Sequence, residues 1–145
     1  MDVQRNIIFD LGGVIFETNL ATFVPLEAGV ALLEECYAHA QENGHKLYIC
    51  SNGSAQAIEQ LARDFPHLFS MFHGVVIPSI AQAKKPDTKI FQYLLDTYTL
   101  IPHQTVFIDD QLRNVEAARN TGMLGIHLQT HDEVRDELQR LGFLV

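Results

Sequence analysis

Polar side chains stand at or just after the C-terminal ends of short apolar runs, and their types suit chemistry on an anion. The run IIF ends at Asp10, LYIC at Ser51 and Asn52, VVIP at Ser79 with Lys85 six residues on, and VFI at the adjacent Asp109 and Asp110. These offer three carboxylates, a hydroxyl, an amide and an ammonium group. Any one of them, taken alone, does no more than mark where a chain leaves the core. The Asp109-Asp110 pair asks for more. Adjacent carboxylates behind a buried strand repel each other unless a cation compensates, and an oxygen-only donor set suits a hard ion such as Mg²⁺. With Asp10 as the third carboxylate, such an ion offsets the charge of a phosphate as well, and Lys85 neutralises what remains. The chemistry suggested is phosphoryl transfer.

The elements that must position these groups are legible in the hydrophobic pattern. Runs rich in Val, Ile and Phe at Asn6 to Phe9, Lys46 to Cys50, Gly74 to Ile77, Thr105 to Ile108 and Leu124 to His127 predict buried strands. Between them, apolar residues recur at helical spacing: Leu33, Cys36, Tyr37 and Ala40; Ile58, Leu61, Ala62 and Phe65; Ile90, Phe91, Leu94, Leu95 and Tyr98; Val115, Ala118 and Arg119 ahead of Gly122. Gly44 sits where a left-handed C-cap belongs, Pro86 where a first helical residue belongs, and Thr130 with Glu133 has capping-box spacing. Strict alternation of strand and helix predicts an α/β fold: a doubly wound, Rossmann-like parallel sheet of about five strands with helices on both faces. In such sheets ligands bind outside the carboxyl ends of the strands, where the polar residues collect.

Composition narrows the partners. The 145 residues match the size of one domain, and 47% of them are hydrophobic, enough for one substantial core. Eighteen acidic against ten basic residues give a formal charge of -8, which repels nucleic acid and anionic membrane surfaces. No apolar run approaches the roughly 20 residues of a membrane span and no signal-type start is visible, so the cytoplasm is the expected compartment. Cys36 and Cys50 lie in no metal-type or redox spacing and read as reduced core residues. His127 and His131 straddle a strand end and a helix start, which does not suit a histidine metal site.

The segments IIFDLGGVIFE, LYICSN, KKPDTKIF and FIDDQLRNVEAARNTGMLGIH, in that order, resemble the four motifs of the haloacid dehalogenase-like superfamily. Each is weak alone; the ordered set, running from Ile7 to about His127, is specific. The resemblance implies a Mg²⁺-dependent phosphatase acting on a phosphate monoester through an aspartyl-phosphate at Asp10. It makes Ser51, with Asn52 beside it, a donor to the phosphate oxygens, and Lys85 the cation that steadies nucleophile and phosphate. The metal is expected on Asp10, the backbone carbonyl of Gly12 and Asp110, with Asp109 either on the ion or one hydrogen bond behind it and Asn114 orienting the pair. Lys84 and Lys89 read as surface charges and Arg113 as a helix-surface residue. Independently of the resemblance, the Asn52-Gly53-Ser54 turn predicts a helix N-terminus suited to an anion, and Pro86 directs Lys85.

Two departures matter. Most phosphatases of the superfamily carry a second Asp two residues after the nucleophile as general acid and base; here that position is Gly12. The text DLGGVIFE is similar to a DLG branch that includes sugar-phosphate phosphatases and the N-terminal domains of some epoxide hydrolases. Glu17 matches an acidic position of the family's flap, either near substrate or a solvated turn residue. The second departure is the missing cap domain: only TNLATFVP precedes the helix leading to Ser51. The expectation is one core domain over residues 1–145 with an open site. That site would admit a phosphorylated small molecule or a phosphorylated group on a larger partner, or be covered by a second copy of the chain. The competing reading is a weakly active or inactive phosphate-binding regulatory domain. A receiver-type signalling module is excluded by chain order, since its acidic pair comes first and its lysine last.

Overall fold

The computed structural model describes residues 3–18 and 23–145; residues 19–22 of the TNLATFVP stretch lie outside them. Strands β1 (Asn6–Phe9), β2 (Lys46–Cys50), β3 (Gly74–Val76), β4 (Thr105–Asp109) and β5 (Leu124–His127) form one parallel sheet in the order β3-β2-β1-β4-β5. The chain winds outward from β1 to β3, then crosses back to β4 and on to β5. The switch in winding direction therefore falls between β1 and β4, and this is where a doubly wound sheet opens a crevice.

Register does the rest of the positioning. Phe9 pairs with Ile49 on one side and Ile108 on the other, so the next residues, Asp10, Cys50 and Asp109, emerge at one level. The Asp10 N–H extends the ladder by donating to the Ile108 carbonyl at 3.0 Å. A slip of one residue would turn these side chains to the opposite face of the sheet.

The connecting elements are α1 (Glu27–Asn43), α2 (Ala55–Asp64), α3 (Pro66–Phe69), α4 (Pro78–Ala81), α5 (Thr88–Tyr98), α6 (Leu112–Arg119) and α7 (His131–Arg140). Ile7, Phe9, Leu47, Ile49, Val106 and Ile108 pack against Leu33 and Cys36 of α1, Leu61 of α2, and Val134 and Leu138 of α7. On the other face Ile8, Tyr48 and Phe107 pack against Ile90, Phe91 and Leu94 of α5 and Ala118 of α6. Both faces are covered, which is why the strands read as unbroken apolar runs. Burial pushes the thiols of Cys36 and Cys50 up to about 12, so both remain protonated core residues.

Local signals translate as their chemistry demands, with exceptions. Gly44 caps α1 at φ 71°, and the Thr130 hydroxyl accepts from the Glu133 N–H at the start of α7. Pro86 is not a first helical residue. It belongs to a turn, joined to Lys85 by a cis peptide, and α5 begins two residues later with the Asp87 carboxylate accepting from the Lys89 N–H as its N-cap. An Asp in an extended conformation satisfies an orphan helix N–H that a proline cannot. The strand predicted to Ile77 stops at Val76, because Pro78 opens the short α4. No helix among the described residues is long and apolar enough to cross a membrane.

One helical glycine has a steric task. A Cβ on Gly29 would lie 2.0 Å from the Val14 carbonyl oxygen, so α1 approaches the loop after β1 as closely as backbone allows. An exposed helical Gly→Ala change gains about 1 kcal/mol of helix propensity. Gly29→Ala is expected to lose about 1–3 kcal/mol instead, because the clash is with backbone. Denaturant unfolding measures the sign; a stabilised variant would contradict the close packing of α1 on this loop.

Candidate active site

Lys85 is the centre of the site. The residue is 4% exposed in the folded chain, and its ammonium donates to Asp10 Oδ1 at 2.8 Å, to the Cys50 carbonyl at 2.9 Å and to Asp109 Oδ2 at 3.0 Å. It also lies 5.3 Å from the centroid of the Phe107 ring. An ammonium has three N–H donors, and all three are spent on the ends of β1, β2 and β4. Lys84 and Lys89 are exposed, as expected of surface charges.

Asn52 holds Lys85 in place. Its side-chain oxygen accepts from the Lys85 N–H at 2.8 Å and its side-chain nitrogen donates to the Lys85 carbonyl at 3.0 Å. The amide expected beside the phosphate also makes a reciprocal clamp on the lysine backbone, and one N–H of its NH₂ group is left over. Ser51 differs: its oxygen accepts from the Gly53 N–H at 3.0 Å, and its hydroxyl proton remains to donate. Ser54 caps α2 by accepting from the Ala57 N–H, so the Asn52-Gly53-Ser54 turn does open a helix.

The acidic pair divides its work. Asp109 is fully buried; Oδ2 accepts from Lys85 and from the Asn114 amide at 3.0 Å, and Oδ1 accepts from the Gln111 N–H at 2.9 Å. Asp110 Oδ1 is buried and finds no hydrogen-bond partner among the described residues. The carboxylates of Asp10, Asp109 and Asp110 offer oxygens within 4.8 Å of one another. A buried carboxylate oxygen without a donor is costly unless a cation takes the place of one. The donor set is oxygen only, so the cluster fits a hard divalent ion, with Asp10 and Asp110 presenting the oxygens that protein donors leave most open.

Electrostatics agree with the geometry. Burial raises the Asp10 carboxyl from 3.8 to about 7, with Lys85 pulling it down and Asp109 pushing it up. Asp110 is also raised, first by burial and then by its contact with Asp109. Burial acts to lower the Lys85 ammonium, but the Asp10 and Asp109 charges outweigh it and hold the group above its usual value. Three ionised carboxylates against one ammonium leave an excess of negative charge that a divalent ion removes.

Three contributors were not visible in the sequence. His127, at the end of β5, bonds through Nε2 to the Asp110 carbonyl at 3.0 Å and fixes the backbone that carries the acid. His131 bonds through Nε2 to the Val14 carbonyl at 2.7 Å, tying α7 to the loop after β1. Gly13, at φ 82°, is where a Cβ would sit 2.3 Å from Asp110 Oδ2, whereas a Cβ on Gly12 meets nothing within 4 Å. The glycine that the acid requires is therefore Gly13. Glu17 is exposed at the loop rim and Arg113 bonds Gln111 on the surface of α6. Asp10, Gly12, Ser51, Asn52, Gly53 and Gln111 line an open cleft of about 310 Å³.

Comparison with known proteins gives a consistent picture. Residues 30–122 match the family described as haloacid dehalogenase-like hydrolase, a segment that holds Ser51, Lys85 and the acidic pair, with Asp10 and Gly12 before it. A sesquiterpene phosphatase from Aspergillus oryzae is 31% identical over 98 residues, 68% of this chain and 50% of that protein. The chain spans about half the length, or less, of the curated relatives it matches. Two solved structures share the fold. An uncharacterized protein from Corynebacterium glutamicum superposes with a TM-score of 0.77 at 24% identity, covering 99% of this chain and 98% of its own. A haloacid dehalogenase-like enzyme from Bacteroides thetaiotaomicron, in complex with magnesium and inorganic phosphate, gives 0.68 at 16% identity, covering 86% and 93%. With a family match over more than half its length, this chain belongs to the haloacid dehalogenase-like hydrolases.

Proposed function

We propose that the chain is a Mg²⁺-dependent phosphatase that hydrolyses a phosphate monoester through an aspartyl-phosphate at Asp10. The observation that carries this reading is the cluster at the switch point: a lysine bridging Asp10 to Asp109, and Asp110 beside them with a buried oxygen lacking a donor. The phosphatase name of the Aspergillus relative and the magnesium and phosphate bound to the Bacteroides protein support it.

Asp10, Asp110 and the Gly12 carbonyl would hold Mg²⁺, which supplies positive charge to the transferring phosphoryl group. Lys85 keeps Asp10 oriented, and the Ser51 hydroxyl donates to a phosphoryl oxygen. An Asp10 carboxylate oxygen attacks phosphorus, and the bond from phosphorus to the ester oxygen breaks. Because Gly12 has no acid, the departing oxygen takes its proton from solvent. Water then attacks the same phosphorus, the bond to Asp10 breaks, and inorganic phosphate leaves with the carboxylate restored. Asp109 and Asn114 do not react; they fix Lys85 and the acidic pair. Phosphate release from a panel of esters with and without Mg²⁺ tests the reading, and an active Asp10→Asn protein would refute it.

Metal binding should be visible without turnover. Asp10 is raised in the folded, metal-free chain, so its protonation stabilises the fold fully below 3.8 and that contribution is lost as pH rises through about 7. Mg²⁺ competes with those protons, so its stabilising effect grows from pH 5 to pH 8. At a hundredfold excess over Kd the gain is about 2.7 kcal/mol, a Tm rise of about 5–10 °C. Asp110→Asn should abolish that rise; its persistence would remove Asp110 from the metal site.

Gly12 has open space and an ordinary φ, so an aspartate fits there without strain. A positioned acid is worth about 10²–10⁴ in rate. Gly12→Asp should therefore speed phosphoryl transfer from alkyl esters by about 10² or more, and hardly affect aryl esters, whose leaving groups need no proton. Equal effects on both classes in a rapid-quench experiment would show that leaving-group protonation is not limiting.

A further inference from the structure

Beside the candidate catalytic cleft lies a second, partly open hollow whose chemistry differs from the first. Leu11, Phe16, Phe23, Ile58 and Leu61 form its walls, and Gly12, Ser51 and Gly53 border both it and the cleft that holds Asp10. Among the described residues of its lining, the single charged one is Glu17. We infer that this pocket receives an uncharged, apolar leaving group of the phosphate ester, which deepens the phosphatase reading and rests on it.

The walls are built in advance of any ligand. Phe16 pairs with both Gly12 and Pro25 in bridges, and its ring lies 5.2 Å from that of Phe65. The Glu17 N–H donates to the Val24 carbonyl at 2.8 Å, fixing the backbone next to Phe23. From the opposite side Ile58 and Leu61 of α2 complete the hollow, with α2 anchored by its Ser54 cap. The absence of a side chain at Gly12 keeps the mouth free of a charge that would have to be desolvated by an apolar group.

Size and charge define the guest. The volume is about 50 Å³, a third of the roughly 150 Å³ cavity that accepts a whole benzene ring. A few carbons nearest the ester oxygen fit inside, and any longer chain continues along the open cleft. Glu17 at the rim repels a carboxylate or a second phosphate, and no basic residue among the described lining would bind one. The class is therefore a monophosphate of an alkyl or alkenyl alcohol.

Alkylphosphonates test this by binding alone, since their carbon–phosphorus bond is not hydrolysed. Calorimetry with Mg²⁺ present compares inorganic phosphate with methyl-, propyl- and pentylphosphonate and with 2-carboxyethylphosphonate. Affinity should rise about fourfold per carbon from methyl to propyl, level off by pentyl, and fall below propyl for the carboxylate. Ile58→Gln, on the half-buried face of α2, should flatten the series and leave methylphosphonate unchanged, and Phe23→Ser should do the same from the other wall. A flat series in the native protein, or an undiminished gradient in both variants, would overturn the pocket while leaving the phosphatase reading intact. Failure of phosphate and methylphosphonate to bind at all would overturn both.

Discussion

The arrangement of the whole site depends on one buried ammonium group. Lys85 is withdrawn from water, and an unpaired charge in that position would cost several kcal/mol. Three oxygens from the ends of β1, β2 and β4 meet its three protons, so the cost is offset only when all three strands end in register. Asn52 fixes the lysine backbone from the loop after β2, and Asn114 with the Gln111 N–H fixes Asp109 from the start of α6. Four segments far apart in sequence are thereby locked to one nitrogen atom.

This lock is also a source of electrostatic tension. One ammonium does not balance three carboxylates, and Asp10 and Asp110 are raised first by burial, with the neighbouring Asp109 adding to it. In the metal-free chain that surplus is relieved by protons; on the proposed reading a hard divalent ion would relieve it at the pH where a carboxylate must be ionised to attack phosphorus. Stability is given up at the place where the proposed chemistry would need concentrated negative charge. Gly13 permits this crowding, since any side chain there would strike Asp110.

Much of this was legible in the residues themselves. Apolar runs ending in Asp10, Ser51 and Asp109-Asp110 identify strand ends, because burial on both faces leaves the period of the pattern nothing polar to show until the strand stops. Three strands match their runs residue for residue, and β3 and β4 differ by one residue at an end. What escaped was tertiary. The clamp of Asn52 on Lys85 spans 33 residues, and the bond of His131 to Val14 spans 117, and no local spacing announces either. Pro86 misled because its preference for a helix start competes with a tight turn that Asp87 can cap. The apolar pocket was hidden for the same reason: Phe16 stands in the first motif and Ile58 in the second predicted helix, and only the tertiary fold brings them to one hollow. Glu17, the residue with two readings, proved to be exposed at the rim of that pocket.

At the centre of the proposed function stands phosphoryl transfer to the lysine-held Asp10. Its most direct test is acid quenching of the Mg²⁺-loaded protein during reaction with acetyl phosphate, followed by peptide mapping of the trapped phosphoryl group by mass spectrometry. The account predicts one added phosphoryl group on the peptide containing Asp10, at the Asp10 carboxylate, and its loss on hydroxylamine treatment. Phosphorylation located at any other residue, or phosphate released at full rate with no adduct at Asp10 at any quench time, would contradict it.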